Sequence, residues 1–161
     1  MKQLWAPWRM KFILEPRQGG CIFCSKPKEN RDRENFIIYR GKKVFIMLNV
    51  FPYNNGHLMI SPYRHITNVE DLYADEYTEL FELLKRSITA LKISMKPTGF
   101  NIGMNVGKSS GAGIKHLHMH VVPRWVGDTN YMPVLAEVKV ISEHLEQTYD
   151  KLLKAFVALG S

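Results

Sequence analysis

Residues 99–122 read GFNIGMNVGKSSGAGIKHLHMHVV. Strand-forming residues at both ends enclose Gly107-Lys108-Ser109-Ser110-Gly111-Ala112-Gly113, a loop dominated by glycine and serine. The spacing predicts two strands, Gly99–Asn105 and Lys115–Val122, joined by that loop. Side chains alternate across a strand, so His116, His118 and His120 fall on one face, ~7 Å apart along it, while Leu117, Met119 and Val121 face a core. Such a row suits two chemistries. Several imidazoles can bind one metal ion, or one can attack phosphorus while its neighbours orient it. The loop favours the second: Gly111, Ala112 and Gly113 can bring backbone N–H groups close to an anion, and Lys108, Ser109 and Ser110 add donors.

Upstream, Asp75 reads as an N-cap. Behind it Tyr77, Leu80, Phe81, Leu84, Ile88, Leu91 and Met95 recur at helical spacing, with Glu79, Glu82, Lys85 and Arg86 on the other side. Pro97 and Gly99 stop that helix. Further back, Phe36–Arg40 and Lys43–Leu48 predict a hairpin around Gly41. Asn54-Asn55-Gly56 signals a turn before a short strand, His57–Ser61, which Pro62 ends. A last helix is expected from Ser142, with Leu145, Tyr149, Leu152, Leu153 and Phe156 on one side. Antiparallel strands with segregated helices make an α+β domain.

At 161 residues and 18.6 kDa the chain is one domain, with no repeat or dividing linker. Charged residues are 23% and hydrophobic ones 45%, which excludes a disordered tail. The longest apolar runs, Val44–Leu48 and Ala155–Leu159, fall far short of the ~18 residues of a membrane span. The opening MKQLWAPWRM lacks the apolar stretch of a secretory signal, so a cytoplasmic protein is expected.

Twenty-two basic residues against 15 acidic give +7, which favours an anionic partner: a phosphorylated metabolite, a nucleotide or nucleic acid. Between Lys26 and Lys43 the basic residues alternate with Glu29, Asp32 and Glu34, the pattern of a solvated edge rather than a nucleic-acid stripe. Two cysteines, Cys21-Ile22-Phe23-Cys24, exclude a disulfide framework and leave half of a zinc site, a redox pair, or incidental thiols. A redox pair belongs at a helix start behind a strand. This one follows Gln18-Gly19-Gly20, so zinc is favoured provided two more ligands exist.

His116–Val122 resembles the signature of the histidine triad (HIT) superfamily of nucleotide hydrolases and transferases. Asn49, Pro52, Asn55–Pro62 and His65 resemble that family's second motif, and Asn105-Val106-Gly107 its phosphate-side asparagine. Leu4-Trp5-Ala6-Pro7-Trp8-Arg9, the CxxC and Pro123–Asn130 resemble its prokaryotic diadenosine tetraphosphate phosphorylase branch. The resemblance implies a single HIT-like domain over 1–161, an antiparallel sheet with a long amphipathic helix and a C-terminal helix. Its core spans about 21–126, flanked by an N-terminal arm and a C-terminal helical extension.

For the site, the resemblance implies a nucleotidyl–imidazole on His118, whose other ring proton rests on a strand carbonyl near His57, the supporting histidine. His120 and the amides of Gly111, Ala112 and Gly113 would stabilise phosphate charge, with Lys108 and Ser109 as further donors. Asn49 would hold the ribose, Asn105 a phosphate oxygen, and Trp125 would wall the second nucleotide. Cys21, Cys24, His65 and His116 would hold a structural zinc. A homodimer through the long helix and a sheet edge is implied, with a nucleotide and inorganic phosphate as partners. Many HIT hydrolases carry a glutamine and a Ser or Thr where this chain has Ala112 and Gly113. That departure leaves room for phosphate, rather than water, to resolve the intermediate to ADP and ATP. The competing readings are a dinucleoside polyphosphate or phosphoramidate hydrolase, a nucleotide-binding regulatory module, and a metallohydrolase using all three histidines.

Overall fold

The computed structural model describes residues 20–128 and 141–160, so the arm at Leu4–Arg9 and the segment 129–130 lie outside the described residues. The chain forms β1 (Ile37–Arg40), β2 (Val44–Leu48), β3 (Leu58–Pro62), β4 (Gly99–Met104) and β5 (Met119–Arg124), together with helices α1 (Ile22–Ser25), α2 (Ala74–Met95) and α3 (Leu145–Ala158). The strands make one antiparallel sheet in the order β1-β2-β3-β5-β4. The expected α+β architecture, an antiparallel sheet with a long helix and a C-terminal helix, is thus present, with the hairpin at Gly41 closed by its N–H on the Val44 carbonyl, 2.9 Å.

Both faces of the sheet are covered at β2, which is why that strand is buried along its whole length. Val44, Ile46 and Leu48 alternate toward α2 and α3, joining Leu80, Leu84, Leu91, Tyr149, Leu152 and Phe156 in the larger core. Phe45 and Met47 point the other way and pack with Ile37, Met59 and Phe23 of α1. The turn into β3 runs tight against the end of α2: a Cβ on Gly56 would meet Met95 Sδ at 2.7 Å, and its φ of +76° suits only glycine.

Helix α2 starts one residue before the expected Asp75 cap, at Ala74, with Tyr73 as N-cap. Glu76 closes the first turn, accepting the Tyr73 N–H at 2.9 Å while pairing with Arg64 at 2.7 Å. The packed stripe is also rotated. Leu80, Leu83, Leu84, Ser87, Ala90 and Leu91 are buried, whereas Tyr77 and Phe81 are about half exposed. Glu79 is not a solvent-facing acid: its carboxylate accepts the backbone N–H groups of Lys42, Lys43 and Val44 at 2.7, 2.5 and 3.0 Å. The last helix begins at Leu145 rather than Ser142, and buries Tyr149, Leu152 and Phe156 as its spacing requires.

Candidate active site

The site lies where β3 meets β5. Met59 pairs with His120 and Ile60 with Met119, and there the ladder stops. Pro62 has no N–H to offer, the Ser61 hydroxyl donates to the Leu117 carbonyl at 3.0 Å, and the Leu117 N–H goes to Ile66 O at 2.7 Å. The expected strand Lys115–Val122 therefore begins only at Met119. His116 and His118 stand in the approach to it, so the three imidazoles are not one evenly spaced row.

Their protons are fixed by their neighbours. His118 Nδ1 lies 2.6 Å from the carbonyl of His116, so it carries the proton and leaves the Nε2 lone pair free. The acceptor is the chain two residues back, not a strand carbonyl near His57. At fully buried His57 the logic is reversed. The Tyr53 N–H donates to His57 Nδ1 at 3.1 Å, so Nε2 bears the proton and donates to His120 Nδ1 at 2.9 Å. His120 is left with its proton on Nε2. Neighbouring imidazoles 4.7 Å apart thus present opposite groups, a lone pair on His118 and an N–H on His120. Burial lowers the pKa of all of them: His57 to about 3, with help from His120 and His118, His120 to about 4, with help from His118, and His118 below its ordinary value. They are neutral at pH 7.

Around this pair, Asn49 follows β2, accepts the Phe51 N–H at 2.9 Å and places its amide 3.3 Å from His57 Nδ1. Asn105 comes one residue after Met104, which pairs with Met119. The loop beyond it is exposed at Lys108, Ser109, Gly111 and Gly113, with a 3₁₀ turn at Lys108–Ser110 between Gly107 and Gly111, both at positive φ. A Cβ on Gly113 would meet nothing within 4 Å, and its φ lies outside the left-handed region. Trp125 is half-buried and donates its indole N–H to Met95 O at 3.2 Å, at the end of α2.

Two bracing networks had no signal in the residue pattern, because each joins distant segments. Asn54 donates to Asp128 Oδ2 at 2.8 Å and to Pro123 O at 3.1 Å, while Arg124 grips the same carboxylate at 2.6 and 2.9 Å. This holds the loop bearing Tyr53 and His57 against the end of β5. The Arg64–Glu76 pair similarly anchors the segment that carries His65.

Cys21, Cys24, His65 and His116 bring one donor atom each within 4.8 Å of one another. His116 Nε2–H is taken by Pro62 O at 2.9 Å, which aims its Nδ1 lone pair at Cys21 Sγ, 3.2 Å away, and Cys24 Sγ, 3.5 Å away. His65 Nδ1 stands 3.3 Å from Cys24 Sγ. A tetrahedron with Zn–S of ~2.3 Å and Zn–N of ~2.0 Å spaces its ligands roughly 3.5 Å apart, so the donor set fits zinc. Burial, then the neighbouring Cys21, raises the Cys24 thiol pKa, as expected of thiolates that need a cation between them.

Residues 30–126 match the HIT domain family, and the chain belongs to that family. It is 38% identical to a Mycobacterium tuberculosis protein called AP-4-A phosphorylase, over 92% of this chain and 80% of that protein. It is 31% identical to an uncharacterized HIT-like protein of Saccharolobus solfataricus, over 85% of this chain and 95% of the other. Among solved structures, a hypothetical histidine triad nucleotide-binding protein from Sulfolobus tokodaii superposes with a TM-score of 0.66 at 29% identity, covering 84% of this chain and 89% of that one. A Zn-bound histidine triad family protein from Mycobacterium smegmatis, 24% identical, shares the fold with a TM-score of 0.71 over 87% and 95% of the two chains.

Proposed function

We propose that this enzyme cleaves dinucleoside polyphosphates such as diadenosine tetraphosphate by nucleotidyl transfer to His118, and that inorganic phosphate resolves the intermediate. The observation that carries the reading is the opposed pair of neutral imidazoles. His118 Nε2 attacks the α-phosphorus, the P–N bond forms as the bond to the bridging oxygen breaks, and ATP leaves. The positive charge gained by the ring is met by the His116 carbonyl on Nδ1–H. His120 Nε2–H donates to a non-bridging oxygen whose charge grows in the transition state. Phosphate then attacks the AMP–imidazole, giving ADP and restoring His118. One hard displacement becomes two easier ones.

Ribose contact at Asn49, phosphate contact at Asn105, Lys108, Ser109 and the Gly111–Gly113 amides, and a wall at Trp125 complete this proposal. The name carried by the M. tuberculosis relative supports phosphorolysis. A 27% identical Dictyostelium discoideum relative called bis(5'-adenosyl)-triphosphatase supports the hydrolytic alternative. Incubation with diadenosine tetraphosphate decides between them: ADP plus ATP, only when phosphate is present, bears out phosphorolysis. AMP plus ATP at any phosphate concentration refutes it.

Zinc is assigned a structural part, on the four-donor cluster, since all four positions of a tetrahedron are protein ligands. The cation would hold α1 to His116, two residues before the nucleophile. No described helix is long and apolar enough to cross a membrane, and we place the enzyme in the cytoplasm. A homodimer is proposed along β4, an edge strand with Asn101, Ile102 and Gly103 exposed.

A further inference from the structure

Rings run in contact from the metal donors to the mouth of the site. His65 touches His116 at 4.8 Å between centroids, His116 touches Phe23 at 5.3 Å, and Phe23 touches His118 at 4.7 Å. The series continues through His120 and His57 to Tyr53. Phe23 alone in it has no heteroatom, and it joins the metal-side imidazoles to the catalytic ones. It is fully buried, and its ring lies 28° from parallel to that of His118.

We propose that Phe23 is a positioning residue for the nucleophile: its flat face fixes the rotation of the His118 imidazole. The proposal rests on the nucleotidyl-transfer reading above. Rotation of an imidazole about its Cβ–Cγ bond is soft and two-fold, unlike the staggered torsions of an alkyl chain. One hydrogen bond, Nδ1–H to the His116 carbonyl, holds it from the edge. A half-turn would bring a C–H to that carbonyl and turn the attacking nitrogen away. An aromatic plane stacked nearly parallel on the imidazole opposes the edge-on orientations through which the half-turn must pass. Its apolar surface also keeps water from that face of the ring.

Phe23 sits in the chain between Cys21, the N-cap of α1, and Cys24, two of the candidate metal donors. Behind it Phe45 lies 6.4 Å away in the second core. A branched aliphatic side chain would fill much of the space but offer no plane.

The test compares Phe23→Leu with the ring-conserving Phe23→Tyr, after metal analysis and thermal unfolding show each variant folded with wild-type metal content. Imidazole ¹⁵N–¹H spectra report the His118 tautomer without any substrate. Wild type and Phe23→Tyr are expected to hold a single Nδ1–H form, and Phe23→Leu a mixture. With diadenosine tetraphosphate and phosphate, kcat of Phe23→Leu is expected to fall by about 10- to 100-fold, the scale of a small misplacement of a reacting group. KM is expected to stay within about twofold, because ground-state binding is untouched. A single tautomer and wild-type kcat in Phe23→Leu overturn the proposal. If that variant does not fold, Phe23→Met takes its place, and failure of both to fold overturns a role separate from packing. Wild-type protein inert toward dinucleoside polyphosphates would refute the functional reading instead, leaving the spectra to decide the role of Phe23.

Discussion

At the scale of single residues, the proposed chemistry depends on which nitrogen holds each proton. His118→Ala is expected to abolish turnover by several orders of magnitude while fold and metal content persist, as loss of a nucleophile does. Mass spectrometry of quenched wild-type reactions is expected to show a nucleotide adduct on His118. An adduct on His116 or His120 would contradict the assignment. The acceptor choice is open to a second substitution. Ala112→Gln puts back the bulk that many HIT hydrolases carry, and is expected to lower the ADP-to-AMP product ratio at a given phosphate concentration. Gly113→Ser serves equally, since the site is open and its φ is not left-handed. Unchanged ratios in both variants would show that these positions do not select the acceptor. Histidine burial also sets an acid limit. The unfolded chain protonates His57 near 6.5, the folded protein only near about 3, so its contribution to stability is complete above 6.5 and is lost as pH falls toward about 3. The denaturation midpoint is expected to decline across that window, and to decline less steeply in His57→Gln. The triad itself stood out in the sequence, and the resemblance supplied the chemistry proposed for it. The proton acceptor of His118 did not, because a backbone carbonyl exists at every residue and carries no residue-type signal.

At the scale of elements, short runs of strand-forming apolar residues on either side of Gly41 made β1 and β2 legible almost to the residue, since a strand with both faces covered, as β2 has, shows a continuous apolar run. The amphipathic helix was legible in extent but not in rotation. Tyr77 and Phe81 share the helical spacing of the buried leucines and yet stay half exposed, while Ser87 and Ala90 pack inward. Small residues allow close approach to the sheet, which apolarity counts alone do not register. Glu79 was equally hidden, because its partners are three consecutive backbone N–H groups of the β1–β2 turn. Glu79→Gln replaces an oxygen acceptor by a donor there, and is expected to cost about 1–3 kcal/mol of stability. Glu82→Gln, on the exposed side, is expected to change stability by less than about 0.5 kcal/mol. Equal denaturation midpoints for the two variants would count against the latch. Gly41 belongs to the same device, since a Cβ there would stand 2.5 Å from Glu79 Oε1.

At the scale of the whole molecule, the proposed zinc joins three separated stretches of chain. Cys24→Ser is expected to release the metal and lower the unfolding temperature, because a structural zinc contributes folding free energy directly. Purified protein with no zinc and both thiols reduced would remove that role. For the proposed dimer, Ile102→Lys at the exposed β4 edge is expected to give monomers by analytical ultracentrifugation, and an unchanged mass would rule that edge out. The strand order has one more consequence. β1, β2 and β3 with α2 come from one continuous stretch, β4 and β5 from the next, and the β3–β5 seam unites them. Asn49 and His57 belong to the first stretch, His118 and His120 to the second. A chain split near Lys96–Thr98 would therefore divide the machinery into two pieces, each inert. Their reunion would bring Asn49 and His57 back beside His118 and His120, making turnover a direct reporter of whether two separately produced fragments have met.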